Sequence, residues 1–259
     1  MSGGHLGNHA HLHVPGATPV HRLAPEAALV GLVAFAVAVA LTPRTYVAAF
    51  AVDAAVLAGV IALARLSPAL VLRRLVVIVP FLAVAAVLPF VGGGDQASVA
   101  GVEVSRDGLW AAWGIVAKAV LGATASIVFS ATNRLPEVLT ALTRLRVPPT
   151  LAAIVSSMLR SLDLVADQLR RMRTAMVARA HDPRWLWQAR PIATSMGTVF
   201  VRSYERGERT HAAMVARGYS GTMPDLGDRG ATAAEWVAAL VPAAVAAAAL
   251  VVHLTGTGG

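Results

Sequence analysis

Two stretches of this chain carry the same five residues, Ala175-Met176-Val177-Ala178-Arg179 and Ala213-Met214-Val215-Ala216-Arg217. Ala180 follows the first and Gly218 the second. An arginine guanidinium is always charged and offers five donors in a planar fork, so it grips carboxylates and carbonyls at a defined angle. Its small neighbours here, Ala178, Ala180, Ala216 and Gly218, let the backbone sink into a groove on another protein. The chemistry these positions offer is recognition rather than bond breaking. The chain has no cysteine, which excludes disulfides, thiolate metal sites and cysteine nucleophiles. It has no Gly-x-x-x-x-Gly-Lys-Ser/Thr stretch and no His-Glu-x-x-His, so neither a P-loop nor a zinc-protease motif is present. Glu205, Glu208 and His211 are the residues an intramembrane hydrolase would draw on, but they fall on a polar helical segment rather than at bilayer depth. No catalytic residue, resident metal or cofactor is therefore expected.

Three other groups could do chemistry. Met158, Met172, Met176 and Met214 lie along amphipathic segments, where thioethers repack readily when a partner moves. Ordinary core packing accounts for them equally well. Asp53 and Lys118 are charges inside otherwise apolar stretches; such charges usually pair or serve transport, and a structural pair is the plainer reading. His5, His9, His11, His13 and His21 could ligate Co²⁺ or Ni²⁺. In a polar, glycine-containing tail they read as tail composition instead, and no metal site is assigned to them.

The elements that must position these residues follow from hydropathy. Of the 259 residues, 56% are hydrophobic and 14% charged, against about 25% charged in soluble domains. The fold class is an all-α integral membrane protein. Five segments approach the roughly 20 apolar residues a bilayer needs: 26–42, 45–64, 75–91, 109–131 and 231–253. Pro25 and Pro43 bracket the first, and Trp236 is placed as an interfacial anchor in the last. The first 25 residues contain no apolar stretch that reads as a cleavable leader.

The net charge is +8, and fifteen of the 22 Lys and Arg lie between Arg134 and Arg229. Without interleaved aromatics, that concentration reads as a cytoplasmic loop obeying the positive-inside rule, not as a nucleic-acid surface. Arg65, Arg73 and Arg74 place the loop between the second and third spans inside as well. Asp95, Glu103 and Asp107, near the turn at Gly92-Gly93-Gly94, place the next loop outside. The N-terminus is then inside and the C-terminus outside.

Between the fourth and fifth spans the pattern becomes amphipathic. A short helix follows Leu135, and Pro148-Pro149 separates it from a long one. There Leu151, Val155, Met158, Leu162, Val165, Leu169, Met172 and Met176 recur at steps of three and four, one apolar stripe reaching to about Ala180. Asp167 with Arg171, and Glu205 with Arg209, are spaced as i,i+4 pairs. His181-Asp182-Pro183 breaks the long helix, and another restarts near Pro191 and runs to Arg217, with Gly218 placed to stop it. A domain lying on lipid headgroups would share this amphipathicity, but would not need the repeated Ala-Met-Val-Ala-Arg endings. The organisation is a tail (1–25), four spans (26–132), a cytoplasmic helical region (133–228), and a last span with its tail (229–259).

Leu145-Arg146-Val147-Pro148, the stretch from Met158 to Ala180, and Glu208-Arg209 through Gly221 resemble the T components of energy-coupling factor transporters, the EcfT/CbiQ family of bacterial micronutrient importers. His13-Val14-Pro15-Gly16, with Pro19 through Pro25, is similar to the opening of the cobalt-type CbiQ branch. The resemblance implies a multi-pass subunit of the bacterial inner membrane whose two coupling helices dock on two ABC-type ATPase subunits. Arg179 and Arg217 would be the docking arginines. It also implies a separate substrate-capture membrane subunit, and cobalt as cargo feeding corrinoid synthesis. A nickel or vitamin importer subunit and a passive membrane scaffold are the alternatives. The first motif departs from the family pattern, with Ala180 where glycine is usual.

Overall fold

Prolines and hydroxyl caps decide where the helices begin. Pro25 occupies the first turn of α1 (Pro25–Leu41), where its missing N–H costs nothing. After α2 (Val47–Leu63), the Ser67 hydroxyl accepts from the Leu70 N–H at 3.2 Å and caps α3 (Pro68–Arg74). A 3₁₀ turn, Leu75–Ile78, carries the chain into α4 (Val79–Val91). Two short antiparallel strands follow, β1 (Gln96–Val99) and β2 (Val102–Ser105), registered with Val99 opposite Val102. Ser105 then caps α5 (Arg106–Thr132) by accepting from Gly108 N at 3.2 Å. The chain continues through α6 (Leu135–Arg144), α7 (Pro149–Ala178) and α8 (Arg190–Ala216) to α9 (Ala233–Gly256). Thr232 and Glu235 open α9 with a capping box, each side chain serving the other's backbone N–H. The structure is a computed structural model and describes residues 14, 16–91, 96–99, 102–179, 190–221 and 230–256.

The chain divides into two compact units, Met1–Ala141 with Asp228–Gly259, and Leu142–Gly227. In the first, α1, α2, α5 and α9 share one core made of Phe35, Val39, Phe50, Leu57, Leu121 and small residues such as Ala125, Ala243 and Ala246. Small residues let the backbones come close, which is how helices gain packing energy in lipid. The α1–α9 pair is the tightest: a Cβ added at Gly31 would lie 2.3 Å from the Ala239 carbonyl oxygen. Glu26, 3% exposed, ties the same two helices at their starts by accepting from Ala231 N at 2.8 Å. α4 packs on α5, where a Cβ at Gly108 would meet the Leu88 oxygen at 2.6 Å.

Contacts sort the helix ends into two groups. Val14 N bonds Ala131 O at 2.9 Å, and Val14 and Val20 cover Ala64 and Leu66. The start of α1, the end of α2, the end of α5 and the start of α9 therefore keep company. At their other ends Arg44 pairs with Asp107 at 3.9 Å, Tyr46 stacks on His253 with ring centroids 4.5 Å apart, and Phe50 meets Trp113 edge-on.

Pro68–Phe90, Arg106–Thr132 and Ala233–His253 are long and apolar enough to cross a membrane, while α1 and α2, at 17 residues each, are apolar but shorter. Val76, Val77, Phe81, Val84 and Phe90 are all exposed. Water would not tolerate such a surface, but hydrocarbon does. The protein is thus a helical membrane protein.

One expected boundary is corrected. The third apolar helix begins at Pro68, not Leu75, so Arg73 and Arg74 end α3 within a helical run instead of occupying a loop. The missed signal is Ser67-Pro68, a hydroxyl cap followed by a first-turn proline. The loop before α5 contains a short β-hairpin, and the fold is otherwise helical.

Candidate functional site

α7 has 30 residues and α8 has 27, which at 1.5 Å per residue makes rods of about 45 and 40 Å. The two touch each other within the second unit. Among its described residues Ala152, Gln168 and Val199 are buried, and none gives Gln168 Nε2 a hydrogen-bond partner. Exposed polar positions are braced along the helices: Asp167 pairs with Arg170, and Glu205 with Arg209 at 3.8 Å. The second pair has the expected i,i+4 spacing. The first takes the i+3 arginine in place of Arg171, because both positions lie on the same helical face as Asp167.

The two repeated motifs end their helices. Arg179 is the C-terminal cap of α7, its N–H shared between Ala175 O and Met176 O. At α8, Gly218 takes φ +85°, the Gly218 N–H bonds Val215 O at 2.9 Å, and the Tyr219 N–H bonds Met214 O at 3.0 Å. This is a Schellman ending, and its left-handed residue is glycine because a side chain there would clash with its own backbone. The structure thus bears out Gly218 as the stop for this helix. Ala180 and His181-Asp182-Pro183 lie outside the described residues.

The Arg179 and Arg217 side chains are both exposed, and among the described residues neither forms a side-chain hydrogen bond or ion pair. Each guanidinium is thus held at a helix end with its donors uncommitted. Ala178 and Ala216 beside them are exposed too. Of the methionines, Met158 is 64% exposed, while Met172, Met176 and Met214 are half-buried. Apolar neighbours of Met158 also face outward on α7 (Leu151, Ile154, Leu162), as do Met196, Phe200 and Tyr204 on α8.

The intramembrane charges do not pair. Lys118 Nζ donates to Ala40 O at 2.7 Å, capping a carbonyl that the end of α1 leaves open. Asp53, 1% exposed, sits between Phe50 and Leu57 on the buried face of α2, and neither of its carboxyl oxygens has a hydrogen-bond partner. The expected structural pair is therefore replaced by a helix cap and an isolated buried carboxyl. His21 is structural: Thr18 Oγ1 lies 2.7 Å from Nδ1, and Nε2 donates to Val14 O at 3.1 Å. A Cβ at Gly16 would strike the His21 ring at 2.7 Å, which explains a glycine there. His5, His9, His11 and His13 lie outside the described residues. Sequence reading missed a cavity of about 550 Å³ lined by Val47, Arg106, Leu109, Trp110 and Trp113. The spacing of Arg106, Trp110 and Trp113, at steps of four and three along one helix face, was the available signal.

No curated protein matches the chain in sequence. A family model described as CbiQ, cobalt transport protein, matches residues 16–226, which takes in α1 through α8 and both arginine motifs. The chain belongs to the CbiQ cobalt transport protein family and is a membrane component of cobalt transport.

Proposed function

We propose that this chain is the transmembrane energy-coupling subunit of an ATP-driven cobalt importer. Two ABC-type ATPase subunits power it, and a substrate-capture membrane subunit delivers the cargo. The observation that carries this reading is the matched pair of uncommitted guanidiniums at the ends of α7 and α8, on a duplicated motif. A passive tether would need neither the duplication nor a capped helix end beneath the second arginine. In this reading Arg179 and Arg217 seat in the two ATPase subunits, Ala178, Ala180, Ala216 and Gly218 admit the backbone, and the methionines adjust as the partners move. The chain is non-catalytic and holds no cofactor; nucleotide belongs to the partners.

The reading includes five crossings of the bacterial inner membrane. α1 and α2 serve as short spans, since 17 residues is the lower limit for a hydrocarbon core. The alternation of helix ends described above supports an odd number of crossings. The N-terminus is then inside and the C-terminus outside. Reconstitution with the ATPase and capture subunits is the test. The chain is expected to support nucleotide-dependent Co²⁺ uptake in vesicles, and uptake of Ni²⁺ or a vitamin alone would reassign the cargo. ATP hydrolysis by the partners that does not respond to the chain would leave only a scaffold.

A further inference from the structure

The open cavity beside the first turns of α5 is lined by one guanidinium, two indoles and two aliphatic side chains. Ser105 caps α5, Gly108 packs against the Leu88–Pro89 backbone, and the Trp113 ring stands edge-on to Phe50 with centroids 6.4 Å apart. Among the described residues no acidic side chain lines it. The neighbouring carboxylate, Asp107, is engaged by Arg44 from the α1–α2 turn. Among the described residues Arg106 forms no ion pair, so its charge stands uncompensated at the cavity mouth.

We propose that this cavity binds the headgroup of an anionic phospholipid. A phosphodiester matches the bidentate fork of Arg106. Tryptophan indoles settle at headgroup depth, with an apolar ring against the acyl region and an N–H toward the polar layer. Val47 and Leu109, both exposed beside them, cover the glycerol and upper acyl carbons. A volume of about 550 Å³ is ample for a headgroup. A small hydrated anion would leave the apolar wall unused. Among the described lining residues a divalent metal would meet a like charge and no carboxylate or imidazole ligand. The inference goes beyond energy coupling and requires only that the chain sit in a bilayer.

The test is tryptophan quenching in the full chain, reconstituted in phosphatidylcholine vesicles containing either brominated phosphatidylglycerol or brominated phosphatidylcholine. Brominated phosphatidylglycerol is expected to reach half-quenching at a severalfold lower mole fraction. Arg106→Gln should remove the difference and Arg106→Lys should retain part of it. A Trp110→Phe, Trp113→Phe double variant should lose the excess quenching, placing it at the cavity. Equal quenching by the two lipids in the unaltered chain would overturn the proposal. So would an excess that survives Arg106→Gln, or one reversed by millimolar inorganic phosphate, which would assign the site to a soluble anion.

Discussion

Arg179 and Arg217 owe their availability to what surrounds them. Along the same helices Asp167 and Glu205 occupy Arg170 and Arg209, while among the described residues no acid pairs with the last arginines. Truncating an arginine that is buried in a partner leaves that partner's acceptors unpaired, which costs about 2 to 5 kcal/mol. Arg217→Ala is accordingly expected to weaken ATPase-subunit binding more than tenfold, read by titration calorimetry of the reconstituted complex. An unchanged affinity would remove Arg217 from the interface. Asp53 presents the opposite situation, a buried carboxyl with nothing to bond. Asp53→Leu replaces the polar group with an apolar side chain and should raise unfolding stability in detergent by about 1 kcal/mol. A loss of stability of that size would mean that the carboxyl has a partner in the working protein. The arginines were legible because a repeated pentapeptide is visible without any fold. The fates of Asp53 and Lys118 were not, because pairing depends on which helix faces which, and hydropathy carries no such information.

At the scale of elements, close approach sets the sensitive positions. Gly31→Ala would force a methyl against the Ala239 carbonyl and should cost about 1 to 3 kcal/mol in thermal unfolding. Gly59→Ala and Gly122→Ala, which meet nothing within 4 Å, should be neutral or stabilising by up to about 1 kcal/mol through helix propensity. Equal effects at all three would contradict the α1–α9 packing. Gly218→Ala places a side chain at φ +85° and should fray the end of α8, lowering amide-exchange protection at Gly218 and Tyr219. The apolar helices and the long amphipathic helices α7 and α8 were legible from apolar runs and from the three-and-four stripe. The β1–β2 pair was not, because four-residue strands leave too little alternation to outweigh the flanking glycines. The start of α3 was written in Ser67-Pro68, but it was masked by the arginines at 73 and 74, which suggested a loop.

For the molecule as a whole, the alternation of helix ends makes a statement about sidedness that single helices cannot. Arg44, beside Asp107, and Arg65, at the end of α2, belong to opposite groups of ends. In right-side-out vesicles Arg44→Cys should react with an impermeant maleimide, and Arg65→Cys only after permeabilisation. Both reacting from outside would break the five-crossing topology. Because the chain has no cysteine of its own, each introduced thiol is unique. The same property gives the most direct test of energy coupling. Arg179→Cys and Arg217→Cys, combined with a short bifunctional maleimide in the assembled transporter, should each crosslink to an ATPase subunit. Exposed positions nearer the middle of α8, such as Arg202, should not. An intact complex in which neither end of the coupling helices crosslinks would contradict the account.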